Sequence, residues 1–311
     1  MGNVTVIGAG VIGLSVAQEL VTAGHRVRIL AAREAAESTS GVAAAIWFPH
    51  DVDHSDSVLA SAAVTYRRLE ELAADPRTGV HMRPGTVLSR HPEPDTAWTA
   101  AVPHTEPAAA RPDGASGIRC TVPIVETGDY LAWLRDTVVA SGVRIEVADV
   151  DSVAAVIERD EPDAVVVAAG LRSAALLGDD ESFPIRGQVV RLANPGLTEW
   201  ITDAENPEGL TYVVPRSRDV VCGGTGETGD WNERIDPDTE AAILRRVRAL
   251  VPELAEQPVL SRAVGLRPGR SSVRVGAVDG FARPVFACYG HGGAGFTLSW
   301  GDAARIAALI S

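Results

Sequence analysis

The chain is poor in cysteine, poor in cations and free of long apolar runs, and each shortage excludes something. Its three cysteines, Cys120, Cys222 and Cys288, stand far apart and form no CxxC pair. An odd number at such spacing makes neither a disulfide framework nor a zinc signature, so reduced thiols, no metal and a cytoplasmic location are expected. Lys and Arg total 28 against 41 Asp and Glu, a formal net charge of -13. That field repels phosphate backbones, so no nucleic-acid partner is expected, and a small anionic ligand needs a local cationic pocket. No run of 18 apolar residues occurs, so no membrane span is expected. The first residues lack the basic segment of a secretory signal and read as a strand instead. P-loop, GxSxG elbow, internal repeat and low-complexity tail are also missing.

What is present suits a globular α/β protein. The 311 residues are 46% hydrophobic, enough for a sizeable core, and the length suggests roughly two domains. Residues 3–8 form a short β-branched run ending in glycines, which predicts a buried strand. A helix with Leu14, Ala17, Leu20 and Val21 on one stripe follows, with Gly24 as its expected cap, and then a second strand over 26–30. Between strand and helix lies Gly8-Ala9-Gly10-Val11-Ile12-Gly13, a GxGxxG in the context that gives it meaning. Gly8 permits the tight turn, Gly10 lets a pyrophosphate approach the backbone, and Gly13 lets helix and strand pack closely. The helix N-terminus then meets phosphate with unpaired N–H groups. About 20 residues on, Glu34 is placed to take a ribose hydroxyl, while Arg33 beside it could meet a phosphate. The small residues of 38–45 allow backbone to pass close along a flat ring.

Helices are predicted over 58–72, 129–140 (capped by Asp129), 239–250 and from the last glycines to Ile310. Strands are predicted over 143–145, 164–169, 188–192, 211–215, 219–222 and 285–289. Residues 91–119, rich in Pro, Ala and Asp, read as surface connections. Strand–helix alternation at the start, near 129–178 and at the end, with a different middle, suggests two domains interleaved in sequence. A second glycine cluster, Gly290-His291-Gly292-Gly293-Ala294-Gly295, enters the last helix, with more glycines than a turn requires. It suggests backbone pressed against a ligand, and a helix N-terminus placed to stabilise negative charge on it. His50-Asp51-Val52-Asp53-His54 could form a metal site, but reads more simply as a polar loop entering a helix.

These segments, in order and with compatible spacing, resemble one family. VIGAGVIGLS (6–15), VAAAIWFP (42–49), YLAWL (130–134), VVVAAGLRS (165–173), PIRGQVV (184–190), LTYVVPR (210–216), CGGTGETGDWN (222–232), GLRPGR (265–270) and YGHGGAGFTLSWG (289–301) are similar to the FAD-dependent D-amino acid oxidases and the related D-aspartate oxidases. The resemblance covers nearly the whole chain. It implies an FAD-binding, Rossmann-like domain interleaved with a second α+β substrate domain on a largely antiparallel sheet. The expected division is 1–48, 120–185 and 263–311 against 49–119 and 186–262.

It also implies the chemistry: hydride transfer from the substrate α-carbon to flavin N5, hydrolysis of the imino acid in water, and reoxidation by O2 with release of H2O2. Arg267 matches the arginine that holds the substrate carboxylate, a task suited to a bidentate guanidinium. Tyr212 matches the tyrosine that shares that carboxylate, and the carbonyl of Gly293 matches the acceptor for the amine. Phe48 and His50 match pocket positions around the substrate side chain. For FAD the matching residues are Gly8, Gly10, Val11, Ile12, Gly13, Arg33, Glu34, Thr39, Val42, Ala43, Ala44, Gly170, Gly292, Gly293, Gly295, Phe296 and Thr297.

The chain departs from the family in two places. Residues 206–210 carry no second tyrosine, which implies a more open entrance. D-aspartate oxidases carry an arginine directly after GGT, where this chain has Gly226; Arg216 is near in sequence, but its direction is not readable there. Neutral D-amino acids are therefore the expected substrates. D-aspartate, glycine- or sarcosine-type substrates, or a non-catalytic dinucleotide-binding role, are the alternatives. A homodimer is implied by the family alone.

Overall fold

The computed structural model describes every residue except Asp51, Ala110 and Pro112. Two sheets organise it. The first has six strands in the order β14 (Arg274–Val278), β15 (Val285–Tyr289), β7 (Ala164–Val167), β1 (Asn3–Ile7), β2 (Arg26–Ala31) and β6 (Arg144–Val147). All its pairings are parallel except β14 with β15. The central strands are near-continuous β-branched runs because both faces are covered. Helices α1 (Val11–Thr22) and α8 (Gly295–Ile310) pack together on one face. α5 (Val153–Asp160) contributes Val153, Val156 and Ile157 to a separate apolar cluster with Leu30, Val165 and Val167.

The second sheet is largely antiparallel. Its strands run β12 (Glu227–Thr228), β8 (Phe183–Ala193), β11 (Asp219–Gly223), β10 (Thr211–Pro215), β9 (Trp200–Asp203), β3 (Val80–Ser89), β5 (Ser116–Val125) and β4 (Thr105–Pro107), with β13 (Val259–Gly269) paired along β8. Only β3 with β9 is parallel. α7 (Pro237–Leu250) packs Ile243 and Val247 against Val190, Val213 and Cys222. α3 (Asp56–Leu72) and α4 (Thr127–Ala140) complete the main core, with α2 (Thr39–Val42) and α6 (Arg172–Leu177) as short turns beside the cleft.

Several local expectations are corrected. Glu126, not Asp129, is the residue that starts α4; Asp129 lies within its first turn, where a carboxylate also favours the helix dipole. Ala23 caps α1, and Gly24 follows it with φ +90°. Residues 91–119 are not merely connection: β4 and the start of β5 lie there. Their polar, half-exposed sequence hides an edge of the sheet, where no apolar alternation is needed. β3 and β13 escaped prediction because each mixes arginine, glycine and proline into a paired strand.

No helix among the described residues is long and apolar enough to cross a membrane.

Candidate functional site

A cleft of about 690 Å³ runs from the first glycine turn to the second sheet. It opens at the carboxyl ends of β1 and β7, where parallel sheets bind ligands. Register brings Ile7 beside both Leu30 and Val167, so Gly8 falls against Ala168. A Cβ on Gly8 would lie 2.3 Å from the Ala168 carbonyl oxygen, and the residue has φ +115°. Gly13 faces Gly8 so closely that a Cβ would lie 2.0 Å from its carbonyl oxygen. The turn is therefore closed to any side chain, leaving Gly8, Ala9 and Gly10 as bare backbone on the cleft wall. This cradle fits a dinucleotide pyrophosphate above the start of α1.

At the far end stand Arg267 and Tyr212. β13 and β8 align Gly265 with Gly187 and Arg267 with Ile185, which turns Arg267 into the cleft. Its Nη1 donates to the Thr225 carbonyl at 2.9 Å. Its guanidinium also hydrogen-bonds the Tyr212 hydroxyl. Burial pushes the Tyr212 phenol above its ordinary value, and the Arg267 charge only partly opposes this, so the phenol is neutral at physiological pH. The pair supplies the local cation that an anionic ligand needs in a chain of net charge -13. A guanidinium and a phenol side by side offer several donors to one carboxylate.

The remaining wall is mostly apolar. Phe48 stacks edge-on against Trp98, ring centroids 5.2 Å apart, and Val52 and Leu210 lie near them on the wall. His50 lines this end as well, with Asp95, Glu205 and Glu233. His54 does not turn to a shared cation site. Its Nδ1 meets Asp95 at 2.5 Å and its Nε2 meets the Pro49 carbonyl at 3.0 Å. Burial opposes charge on His54, but the Pro49 carbonyl and Asp95 outweigh it and raise the pKa. Asp51 of the suggested metal motif lies outside the described residues.

Of the sequence-derived cofactor residues, Val11, Ile12, Arg33, Thr39, Val42, Ala43, Ala44, Gly170, Gly292, Gly293, Gly295 and Phe296 all line this one cleft. Gly13 lies behind the turn, packed on Gly8, and two others are placed elsewhere. Glu34 faces away and pairs with Arg135 at 3.7 Å. Thr297 spends its hydroxyl on Phe48, donating to its carbonyl at 2.9 Å and accepting from its N–H at 3.1 Å. Thr297 thus positions a wall residue rather than forming wall.

Four features went unread in sequence. Ser40 Oγ accepts the Val11 N–H at 3.1 Å, bringing a hydroxyl to the start of α1. Gly187 makes room for the Arg267 guanidinium, and Gly223 and Gly224 make room for the Tyr212 ring. The glycines inside PIRGQVV and CGGTG were the available signal, since strand glycine often marks close approach. Arg216 is 3% exposed and turns away from the cleft, onto the carbonyls of Ala43 and Ala44.

A cleft with a dinucleotide turn at one end and an arginine–tyrosine pair at the other defines a two-sheet flavoenzyme. The family model for FAD dependent oxidoreductases matches residues 3–309, and the chain belongs to that family, with FAD as its cofactor. It is 41% identical to a D-amino-acid oxidase of Rubrobacter xylanophilus over 99% of this chain and 96% of that one. It is 32% identical to a human D-aspartate oxidase, covering 99% of this chain and 94% of the relative. Among solved structures, a glycine oxidase from Bacillus cereus superposes with a TM-score of 0.82 at 22% identity, covering 100% of this chain and 95% of that one.

Proposed function

We propose that the protein oxidises neutral D-amino acids to imino acids, with FAD as the acceptor and O2 as the final oxidant. The carrying observation is that Arg267 and Tyr212 stand together on the wall of the same cleft that holds the dinucleotide turn. When bound, FAD takes up the substrate α-hydrogen with its electron pair and returns the electrons to O2 as H2O2.

In this reading Arg267 and Tyr212 grip the substrate carboxylate, and the Gly293 carbonyl accepts from the amine. That three-point hold fixes which face of the α-carbon meets the cofactor. No side chain need act as general base if the amine arrives neutral. The glycine turn, Arg33 and the segment 39–44 hold the cofactor. The chain divides between a cofactor unit (1–48, 120–185, 263–311) and a substrate unit (49–119, 186–262), with β5, β8 and β13 running across the boundary. The family resemblance supports a homodimer, and the three free, buried thiols support a cytoplasmic location.

The preference for neutral side chains rests on what surrounds them. Phe48, Val52, Trp98 and Leu210 are apolar, and the charged wall residues nearby include Asp95, Glu205 and Glu233. A second carboxylate would meet that field unfavourably. Arg216, which could have answered such a carboxylate, is bound elsewhere, and Gly226 has no side chain. His50 is the one observation favouring D-aspartate as the alternative substrate.

The test is anaerobic addition of D-alanine and L-alanine to the flavin-loaded protein. Bleaching of the flavin by D-alanine alone is expected. Bleaching by D-aspartate or glycine but not D-alanine would replace the substrate class, and no bleaching by any of them would sink the oxidase reading. Arg267→Ala should abolish bleaching at moderate substrate while FAD stays bound.

A further inference from the structure

On the reading that this cleft holds FAD, we propose that Arg216 is a positioning residue for the flavin: it sets the backbone of residues 42–45, which line the cleft, from the substrate side of the fold. Arg216 follows β10 directly, four residues after Tyr212. It is 3% exposed, and its partners are carbonyls rather than a carboxylate. Nη2 donates to the Ala43 carbonyl at 2.6 Å and to the Ala44 carbonyl at 3.0 Å. Nη1 donates to Thr127 Oγ at 3.3 Å, and that hydroxyl donates in turn to the Gly41 carbonyl at 3.2 Å. The Val125 N–H takes the Ala45 carbonyl at 2.9 Å. Donors on the protein side thus hold the carbonyls of residues 41, 43, 44 and 45, and the segment between them lines the cleft.

The cost of this arrangement argues for a purpose. Burial drives the Arg216 pKa down to about 10, with Arg191 adding repulsion and Asp219 and Glu126 only partly compensating. A buried guanidinium is expensive, and an apolar residue of similar size would fill the space more cheaply. What the guanidinium supplies is two nitrogens fixed in one plane, so that Nη2 holds two consecutive carbonyls while Nη1 reaches Thr127. The segment it holds, Val42 and three alanines, packs on the main core but has no side-chain hydrogen bonds of its own to fix its backbone, and Ala45 sits at φ +57°, a conformation alanine does not choose freely. Tyr212, beside Arg267, and Arg216, which holds the backbone of the cleft wall, occupy one fully buried strand and its next residue. One element therefore sets the spacing between substrate and cofactor.

The experiment compares apo- and FAD-loaded forms of the wild type, Arg216→Met, Arg216→Lys and Arg216→Gln without any substrate, so it is independent of which amino acid is oxidised. We expect Arg216→Met to weaken FAD binding at least tenfold by titration of the apoprotein, to alter the fine structure of the bound flavin's visible spectrum, and to shrink the gain in Tm on adding FAD. Arg216→Lys keeps charge and donors and should recover part of all three. Wild-type affinity and spectrum in Arg216→Met would overturn the proposal, as would a fall in apoprotein Tm with FAD affinity unchanged. If Arg216→Met does not fold, Arg216→Gln and Arg216→Lys decide: wild-type affinity and spectrum in both overturns it, and loss graded from Lys to Gln supports it.

Discussion

The guanidinium of Arg267 lies in the space that a side chain on Gly187 would occupy. A Cβ there would come within 2.6 Å of Nη2 and 2.7 Å of Cζ. The two residues sit on paired strands, and the absence of one side chain decides where the other can rest. Gly187→Ala should therefore push the arginine off its place while leaving the cofactor end intact. Losing a charge-assisted hydrogen bond costs about 1.5–3 kcal/mol, or roughly ten- to a hundredfold in binding. The expected result is a KM for D-alanine raised by that factor with FAD affinity unchanged. A variant with wild-type KM would mean that Arg267 has room to move, or does not hold the carboxylate.

Tyr212 is seated the same way. A Cβ on Gly223 would lie 2.1 Å from its ring Cζ, and one on Gly224 would lie 2.9 Å from its hydroxyl. The ring is thus fixed by contact, and Tyr212→Phe should keep its place and lose only the hydroxyl. A neutral hydrogen bond is worth about 0.5–1.5 kcal/mol, so KM should rise roughly two- to tenfold, less than for Arg267→Ala. Steady-state kinetics on the two variants and the wild type would show the order. A larger effect from the tyrosine would shift the carboxylate grip onto the phenol.

The contrast between these pairs and the cofactor end shows what could be read from sequence. The glycine turn was legible because its function is local: strand, Gly8, Gly10, Gly13 and helix are contiguous. Arg267 and Tyr212 were legible only through family resemblance, because 55 residues and two different strand pairings separate them. Gly187 and Gly223 have no local purpose at all, and their meaning appears only when β8, β10, β11 and β13 are laid side by side. Glu34 was misplaced because spacing after a strand gives distance along the chain but not direction. A 3-10 turn starting at Ala35 sends its carboxylate toward Arg135. Arg216 looked like a possible substrate ligand for the converse reason: its sequence neighbourhood is the substrate strand, while its side chain reaches the backbone of residues 43–44 and the start of α4.

Asp302 offers a test by pH. On α8 it accepts from Ser61 Oγ at 2.7 Å and Arg305 Nη1 at 2.9 Å, and it meets His291 Nε2 at 3.1 Å. Burial alone would raise its pKa, but these partners outweigh burial and hold it below the ordinary 3.8. A carboxylate depressed in the folded state stabilises it above the unfolded pKa, and that stability is lost as pH falls through the folded value. Asp302→Asn should therefore lower Tm at pH 7, since it leaves Arg305 without its counter-charge and His291 without its carboxylate partner, and should flatten the decline of Tm below about pH 4. Thermal scans from pH 3 to 7 measure both. A variant that keeps the wild-type acid slope would assign that slope to other carboxylates.

A protein that releases H2O2 in its proposed reaction faces its own product, and its thiols are buried, Cys288 directly behind the wall of the cleft where that product forms. Cys120 is 4% exposed, and Cys222 and Cys288 are fully buried. Burial pushes Cys120 and Cys222 up to about 12 and Cys288 well above the ordinary 9.0. At pH 8 a thiol of pKa 12 is ionised in about one molecule in ten thousand, and only the thiolate reacts readily. The folded protein should therefore consume less than one equivalent of an aromatic disulfide reagent over an hour, and three equivalents once unfolded in guanidinium. Mass spectrometry after prolonged turnover should find all three cysteines unoxidised. Rapid reaction of any one thiol in the folded state would mean that the sheet or helix interior around it opens on that timescale, and would make that cysteine the first site of self-inactivation.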